Sequence, residues 1–269
     1  MDTVTVQGTD IPALGFGTAP MKGATSRSAV AHAIEVGYRH IDTAQMYENE
    51  AAVGTAIEHT EVDREDLFLV TKIHRRNLAY EDVLSSVATS LDRLDTWIDL
   101  LLIHAPSSQI PVSESIEAMN DLQTEGQVDH IGVSNFSVDQ LQSAMEASAT
   151  PILTNQVKYH PYHRQDALLQ FCLENDVCLT AYSPLAKGRV VGDGVLQEIG
   201  ERYGKTEAQV CLRWLIQQDQ VVAIPKAASA EHRTENIDIF DFQLTAEEMD
   251  RIFELNGGLL EQLRNRLGL

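Results

Sequence analysis

Short apolar runs recur along the chain at ALGFG (13–17), YRHID (38–42), LFLVT (67–71), DLLLI (99–103), HIGVS (130–134), ILTNQ (152–156), VCLTAY (177–182) and VVAIP (221–225), eight in all. Each has the length of a buried strand. The stretches between them carry helical signals. Val83, Leu84, Val87, Leu91 and Leu94 recur at the three- and four-residue spacing that lines one helix face. Ser137 with Gln140, Thr206 with Gln209 and Thr245 with Glu248 have the spacing of capping boxes, in which each side chain satisfies a free N–H of the first helical turn. Strands alternating with helices predict βα units and a parallel sheet. Eight strands, most followed by a helix, favour a closed (β/α)8 TIM barrel with a short N-terminal segment and a C-terminal helix, although an open doubly wound sheet uses the same units.

The 269 residues are compatible with one barrel domain spanning 1–269, and no low-complexity or Pro/Gly/Ser-rich linker interrupts them. The opening MDTVTVQGTDIPALGFG has neither a basic nor an apolar leader region, so no signal peptide is expected. No apolar run approaches the ~18 residues of a membrane span. Cys172, Cys178 and Cys211 are odd in number and lack CxxC spacing, which reads as buried free thiols in a reducing cytoplasm. No metal is expected.

Charge changes the picture of partners and habitat. Forty acids against 20 bases give a formal charge of −20, which would repel a nucleic-acid backbone and an anionic membrane surface. The acids lie in surface-like clusters, such as Glu58, Glu61, Asp63, Glu65 and Asp66, or Glu247, Glu248 and Asp250. Such a surface suits a halophile, whose salt screens the self-repulsion; an ordinary acidic mesophile enzyme is the plainer reading. A monomer acting on a small molecule is expected.

In an α/β barrel the active site lies at the C-terminal ends of the strands. Asp42 closes the second run, Lys72 follows the third, His104 follows the fourth, and Tyr47 lies in the loop beyond Asp42. Singly, these read as a helix cap, a solvated lysine, a core histidine and a packing tyrosine. Jointly, they converge on one rim. A lysine beside a carboxylate stays charged, and its ammonium is expected to lower the pKa of Tyr47 from about 10, making that phenol a proton donor near neutral pH.

These residues sit in GYRHIDTAQMYENEAAVG (37–54), which resembles the first signature of the aldo-keto reductase superfamily nearly position for position. DLLLIHAP, IGVSNF, NQVKYHPY, AYSPLAKG and AIPKAASAEHRTENIDIFDF resemble further segments of that family, so the likeness runs from about Gly15 to Leu255. It implies a tetrad of Asp42, Tyr47, Lys72 and His104 in an NADPH-dependent carbonyl reductase of the alcohol dehydrogenase (NADP+) type. It also implies that Ser134, Asn135 and Gln156 bind the nicotinamide amide, that Tyr182 stacks on the nicotinamide, and that Ser183 and Leu185 contact the pyrophosphate. Lys226, His232, Glu235 and Asn236 would hold the adenosine end.

GFGTAP (15–20) begins like a dinucleotide fingerprint, but Pro20 stands where the third glycine belongs, and the glycines read as a tight turn at the rim. Where the family carries a serine after the cofactor lysine and an arginine six residues after it, this chain has Ala227 and His232, with Arg233 adjacent. NADPH is therefore preferred over NADH with NADH possible, and Arg233 substitutes if the helix starts one residue off. Ala105 and His74 replace aromatic residues common in the family, and the tail NGGLLEQLRNRLGL is short, so the expected site is wide and tolerant, suited to small carbonyl compounds or diketo acids. Rival readings are a barrel aldolase with Lys72 as the Schiff base and a non-enzymatic member of the fold.

Overall fold

The structure, a computed structural model, describes residues 2–257. It begins with a hairpin that the apolar runs did not predict: β1 (Thr3–Val6) pairs antiparallel with β2 (Thr9–Pro12). Gln7 and Gly8 form its turn, both at positive φ (52° and 79°), as a turn matching the twist of paired strands requires. Val6 and Ile11 on this hairpin are buried against Phe68, Val70, Leu100, Leu102 and Val222, closing the floor of the molecule.

Units of strand and helix follow in chain order: β3 (Gly15–Gly17), α1 (Gly23–Glu35), β4 (His40–Asp42), α2 (Glu50–Glu58), β5 (Phe68–Ile73), α3 (Tyr80–Leu94), β6 (Ile98–Ile103) and α4 (Val112–Thr124). Then come β7 (Val128–Ser134), α5 (Val138–Ala147), β8 (Ile152–Lys158), α6 (Asp166–Glu174) and β9 (Cys178–Tyr182). Helices α7 (Gly194–Tyr203) and α8 (Glu207–Ile216) precede β10 (Val221–Ile224), and α9 (Ala230–Ile237) and α10 (Ala246–Phe253) end the fold. All eight apolar runs thus hold strands. The three capping boxes form as the spacing predicted, at the starts of α5, α8 and α10.

Strands β3 to β10 pair parallel in chain order. The ring closes where Leu14 bridges Ala223, with Ala223 N donating to Ala13 O at 3.0 Å and Gly17 N to Pro225 O at 3.0 Å. The open doubly wound alternative is excluded. Closure also explains Gly15 and Gly17, which lie in a strand rather than in the expected turn. A Cβ on Gly15 would stand 2.8 Å from both His40 and Ile224, and one on Gly17 3.0 Å from the carbonyl of Ile224. Bare backbone lets the first and last strands meet.

The helices cover the outside of the sheet. On α3, Val83, Val87 and Leu94 are buried while Leu84 and Leu91 pack at the edge of the same core. The three cysteines are free and buried. Of the tail NGGLLEQLRNRLGL, residues 258–269 lie outside the described residues, so the expectation drawn from its length rests on sequence.

Candidate active site

Asp42 ends β4 and His104 immediately follows β6, as expected, whereas Lys72 lies within β5 rather than beyond it. A lysine inside a barrel strand would be prohibitively placed without a partner. Its Nζ, with a side chain 0% exposed, donates to Asp42 Oδ1 at 2.6 Å and to Thr43 O at 2.8 Å. Asp42 Oδ2 accepts from Gln156 Nε2 on β8 at 2.7 Å. Both carboxylate oxygens are thereby satisfied, and the lysine, aspartate and glutamine form one buried chain across the barrel.

Tyr47 is brought to this chain by the short 3-10 turn Gln45–Tyr47 after β4. Thr43 Oγ1 donates to Asn49 Oδ1 at 2.6 Å, and Asn49 Nδ2 donates to Met21 O at 3.0 Å, which fixes both ends of the turn. The Lys72 ammonium lies 5.3 Å from the centroid of the Tyr47 ring, and the His104 ring stands edge-on to it at 5.7 Å. All four tetrad residues therefore meet at one end of the barrel.

Electrostatics departs from the sequence reading in one respect. Burial raises the Tyr47 pKa above its usual value of 10.0, and the nearby Lys72 ammonium opposes this without overcoming it. The expected lowering is therefore corrected: desolvation of a phenolate outweighs one neighbouring cation whose charge is shared with Asp42. For Lys72, burial alone would lower the pKa, but Asp42 and Tyr47 hold it above its ordinary value. His104 is pushed down to about 4, chiefly by burial and then by Lys72, so at neutral pH its ring is uncharged, and its buried Nδ1 has no hydrogen-bond partner among the described residues. Neutral phenol and neutral imidazole thus face the same space, with the charged ammonium buried behind the Tyr47 ring.

That space is a cavity of about 390 Å³ lined by Asp42, Tyr47, His104, Ser134, Asn135, Gln156 and Tyr182 among others. Ser134 Oγ donates to Gln156 O at 2.8 Å, Asn135 Nδ2 donates to His104 O at 2.9 Å, and the Tyr182 hydroxyl donates to Asn135 Oδ1 at 2.8 Å. Asn135 is held at φ 63° to do this. Its amide is engaged at both ends, whereas among the described residues the Gln156 side chain bonds only through its nitrogen. The cavity continues past Ala19, Ser183 and Lys226 into a second one of about 620 Å³, which reaches Leu185, His232, Glu235 and Asn236. Every residue assigned to a cofactor by resemblance lines one compartment or the other.

The residues fit a dinucleotide. The two compartments adjoin, sharing Ala19, Ser183 and Lys226 in their linings. The far compartment has a lysine, Lys226, with no ion pair among the described residues, and Asn236, 3% exposed, with no side-chain hydrogen bond of its own. Glu235 is partly committed, because its Oε1 accepts from Thr206 Oγ1 at 2.6 Å. Arg233 lines neither compartment. Its guanidinium is buried, donating to Ala227 O and Ala228 O at 3.1 and 3.0 Å and to His32 Nδ1 on α1 at 3.2 Å. His232 lines the far compartment, and Arg233 instead fastens the loop carrying Ala227 and Ala228.

Lys187 was not singled out in the sequence. It lines the far compartment from a loop after β9 in which Ser183, Ala186 and Lys187 all take positive φ (51°, 48° and 57°). Its signal was the lysine-glycine pair that ends AYSPLAKG. A Schiff-base role for Lys72 finds no support in a side chain fully buried and bonded to two oxygens.

The profile of the Aldo/keto reductase family matches residues 13–257. The glyoxal reductase of Bacillus subtilis (strain 168) is 38% identical over 258 residues, covering 95% of this chain and 93% of that protein. Among solved structures, a candidate 2,5-diketo-D-gluconic acid reductase B superposes with a TM-score of 0.93 at 46% identity, over 95% of this chain and 91% of the other. The aldo-keto reductase of Bombyx mori in complex with NADP superposes with a TM-score of 0.86 at 33% identity, over 94% of this chain and 92% of that one.

Proposed function

The chain belongs to the aldo/keto reductase family, and we propose that it reduces small aldehydes and ketones to alcohols with NADPH, Tyr47 donating the proton. The observation that carries this reading is the buried chain of Gln156, Asp42 and Lys72 beneath Tyr47 and His104, beside two adjoining cavities. When bound, the nicotinamide supplies a hydride to the carbonyl carbon. Lys226, His232 and Asn236 would hold the adenosine end, and Gln156 Oε1 and Tyr182 the nicotinamide end.

The remaining chemistry belongs to this chain's own groups. His104, held neutral by burial, offers a ring N–H to the carbonyl oxygen and orients it toward Tyr47. Tyr47 stays protonated at neutral pH because burial raises its pKa, and so it has a proton to give as the oxygen gains charge. The phenolate left behind faces the Lys72 ammonium, whose charge Asp42 secures. This preset ammonium stabilises the charge that develops in the transition state. Water then restores the Tyr47 proton.

The test is oxidation of NADPH, and separately of NADH, followed at their nicotinamide absorbance with 4-nitrobenzaldehyde and methylglyoxal as substrates. Turnover with product alcohol identified supports the reading, and no turnover with either dinucleotide overturns it.

A further inference from the structure

The peptide group between Ile73 and His74 stands where β5 outruns one of its neighbours. Strand β4 pairs with β5 only as far as Asp42 opposite Val70, whereas β6 accompanies β5 to Ile103 opposite Ile73. The carbonyl and the N–H of a trans peptide point to opposite sides. Ile73 O accepts from His104 N at 3.2 Å, on the side of β6. His74 N points to the side that β4 has left and needs an acceptor from elsewhere. A side chain supplies it: Gln45 Oε1 accepts from His74 N at 2.8 Å.

Gln45 opens the turn Gln45–Tyr47, two residues before the phenol. Its side chain is buried and its amide is held at both ends, because Oε1 also accepts from Asn77 Nδ2 at 3.2 Å and Nε2 donates to Ser90 Oγ on α3 at 3.1 Å. Ser90 is itself buried and donates to Ser86 O at 3.2 Å, so its hydroxyl is anchored in turn. A closed path results. Lys72 lies two residues before His74, Gln45 lies two residues before Tyr47, and the 2.8 Å bond joins the two segments. The opposite side of the same peptide group holds His104 by its backbone N–H. One peptide group therefore ties the strand that bears Lys72 to the segments that bear Tyr47 and His104.

We infer that Gln45 is a positioning residue for proton transfer: its amide stands in for the missing continuation of β4 and sets the distance from the Tyr47 hydroxyl to Lys72 and His104. The inference rests on the reductase reading and adds to it a residue outside the lining of the catalytic cavity, which acts through Tyr47. The turn itself restrains the phenol only locally. Its backbone bonds are Tyr47 N to Ala44 O at 3.0 Å and Glu48 N to Gln45 O at 3.2 Å, and its middle residue, Met46, is half exposed. Thr43 and Asn49 hold the residues flanking the turn, whereas Gln45 fastens the turn to the end of β5. Rate falls steeply when a reacting group is displaced, on the order of 10²-fold for about 1 Å.

The experiment measures single-turnover reduction of 4-nitrobenzaldehyde by the protein loaded with NADPH, together with KM, dinucleotide Kd and melting temperature. Gln45→Met keeps the length of the side chain and loses its hydrogen bonds, and its single-turnover rate is expected to fall about tenfold or more, with KM and dinucleotide Kd within about twofold of native. Gln45→Asn keeps the amide one methylene short of His74 N and is expected to behave alike, so the comparison survives if the apolar variant misfolds. Gln45→Glu keeps an oxygen for His74 N and is expected to recover most of the loss. Ser115→Ala removes a buried bond from α4 to Leu78 O in the loop beyond His74, and it is expected to lower the melting temperature while leaving the rate in place. That separates positioning from lost stability. Native rates in Gln45→Met and Gln45→Asn, a loss carried by KM alone, a Gln45→Glu variant no faster than Gln45→Met, or an equal loss in Ser115→Ala overturns the role of Gln45. Native protein that reduces no aldehyde with either dinucleotide sinks the reductase reading beneath it instead.

Discussion

Lys72 and Asp42 are joined at 2.6 Å with side chains 0% and 3% exposed, an ion pair sealed inside the barrel wall. Such a pair is costly to assemble, and removing one member leaves an uncompensated charge that typically costs about 3–5 kcal/mol. Asp42→Ala is therefore expected to lower the melting temperature strongly. The double variant Asp42→Ala/Lys72→Met should recover much of that stability while remaining inactive, because the charge is gone but so is the cation facing Tyr47. Thermal melts and aldehyde turnover of the three proteins check this. A double variant as unstable as the single one would show that packing, not charge, dominates the site.

Tyr47→Phe removes the proton donor and keeps the ring that packs against His104 beside the catalytic cavity. The rate should drop on the order of 10²–10⁴-fold, the range for loss of a general acid, with dinucleotide affinity by fluorescence titration unchanged. Retention of most of the turnover would remove Tyr47 from its role.

The local signals in the sequence carried the barrel, and long-range partners carried what it concealed. A capping box such as Thr206–Gln209 involves three successive residues' spacing and reads correctly without tertiary knowledge. The β1–β2 hairpin escaped because Asp10 and Pro12 break the alternation that marks a strand. Lys72 read as a residue beyond its strand because a charge ends an apolar run; its partner Asp42 is 30 residues away and Gln156, which holds Asp42, is 114 from it. The direction of the Tyr47 pKa was equally hidden, since it is a contest between one visible cation and a burial that only the fold creates.

Acid should unfold this protein through histidines held neutral. His40 is 1% exposed with Nε2 unpartnered, and burial pushes its pKa down from 6.5 to about 4. Above pH 6.5 neither state is protonated, and His40 has no effect on the pH slope. Below it the unfolded chain takes up a proton that the folded one refuses, so stability is lost as pH falls from 6.5 towards 4, on the order of 3 kcal/mol in all. His104 and His160, pushed to about 4 and about 3 chiefly by burial, act in the same direction. Denaturant midpoints at pH 7, 5.5 and 4.5 should fall more steeply for the native protein than for His40→Gln, and equal slopes would contradict the assignment.

Twenty surplus negative charges on one chain repel one another through the solvent. The screening length falls from ~10 Å at 0.1 M salt to ~3 Å at 1 M, and exposed pairs such as Arg202–Glu198 have little to lose, roughly 0–1 kcal/mol each. The melting temperature should therefore rise from dilute buffer to multimolar KCl. A flat or falling melting temperature would favour the plainer acidic enzyme over a halophilic one.

Discrimination between NADPH and NADH should be weaker here than in relatives with the family's serine and arginine, since Ala227 and His232 stand in those places. The geometry excludes rescue by the neighbouring arginine, because Arg233 is turned into α1 and spends its donors on Ala227 O, Ala228 O and His32. His232 lines the far compartment with Lys226, so an arginine placed there would add a second cation to that compartment. An arginine carries a permanent charge and a donor fork suited to phosphate, whereas a histidine has a reference pKa of about 6.5 and two donors at most. A charge-assisted hydrogen bond contributes roughly 1.5–3 kcal/mol, so Ala227→Ser/His232→Arg should shift the NADPH-to-NADH ratio of kcat/KM about tenfold or more towards NADPH. Lys226→Ala should move it the other way. Titrations with each dinucleotide separate affinity from turnover, and a double variant whose ratio stays fixed while Lys226→Ala also changes nothing would place the phosphate elsewhere in the two compartments, with Lys187 as the next cation to replace.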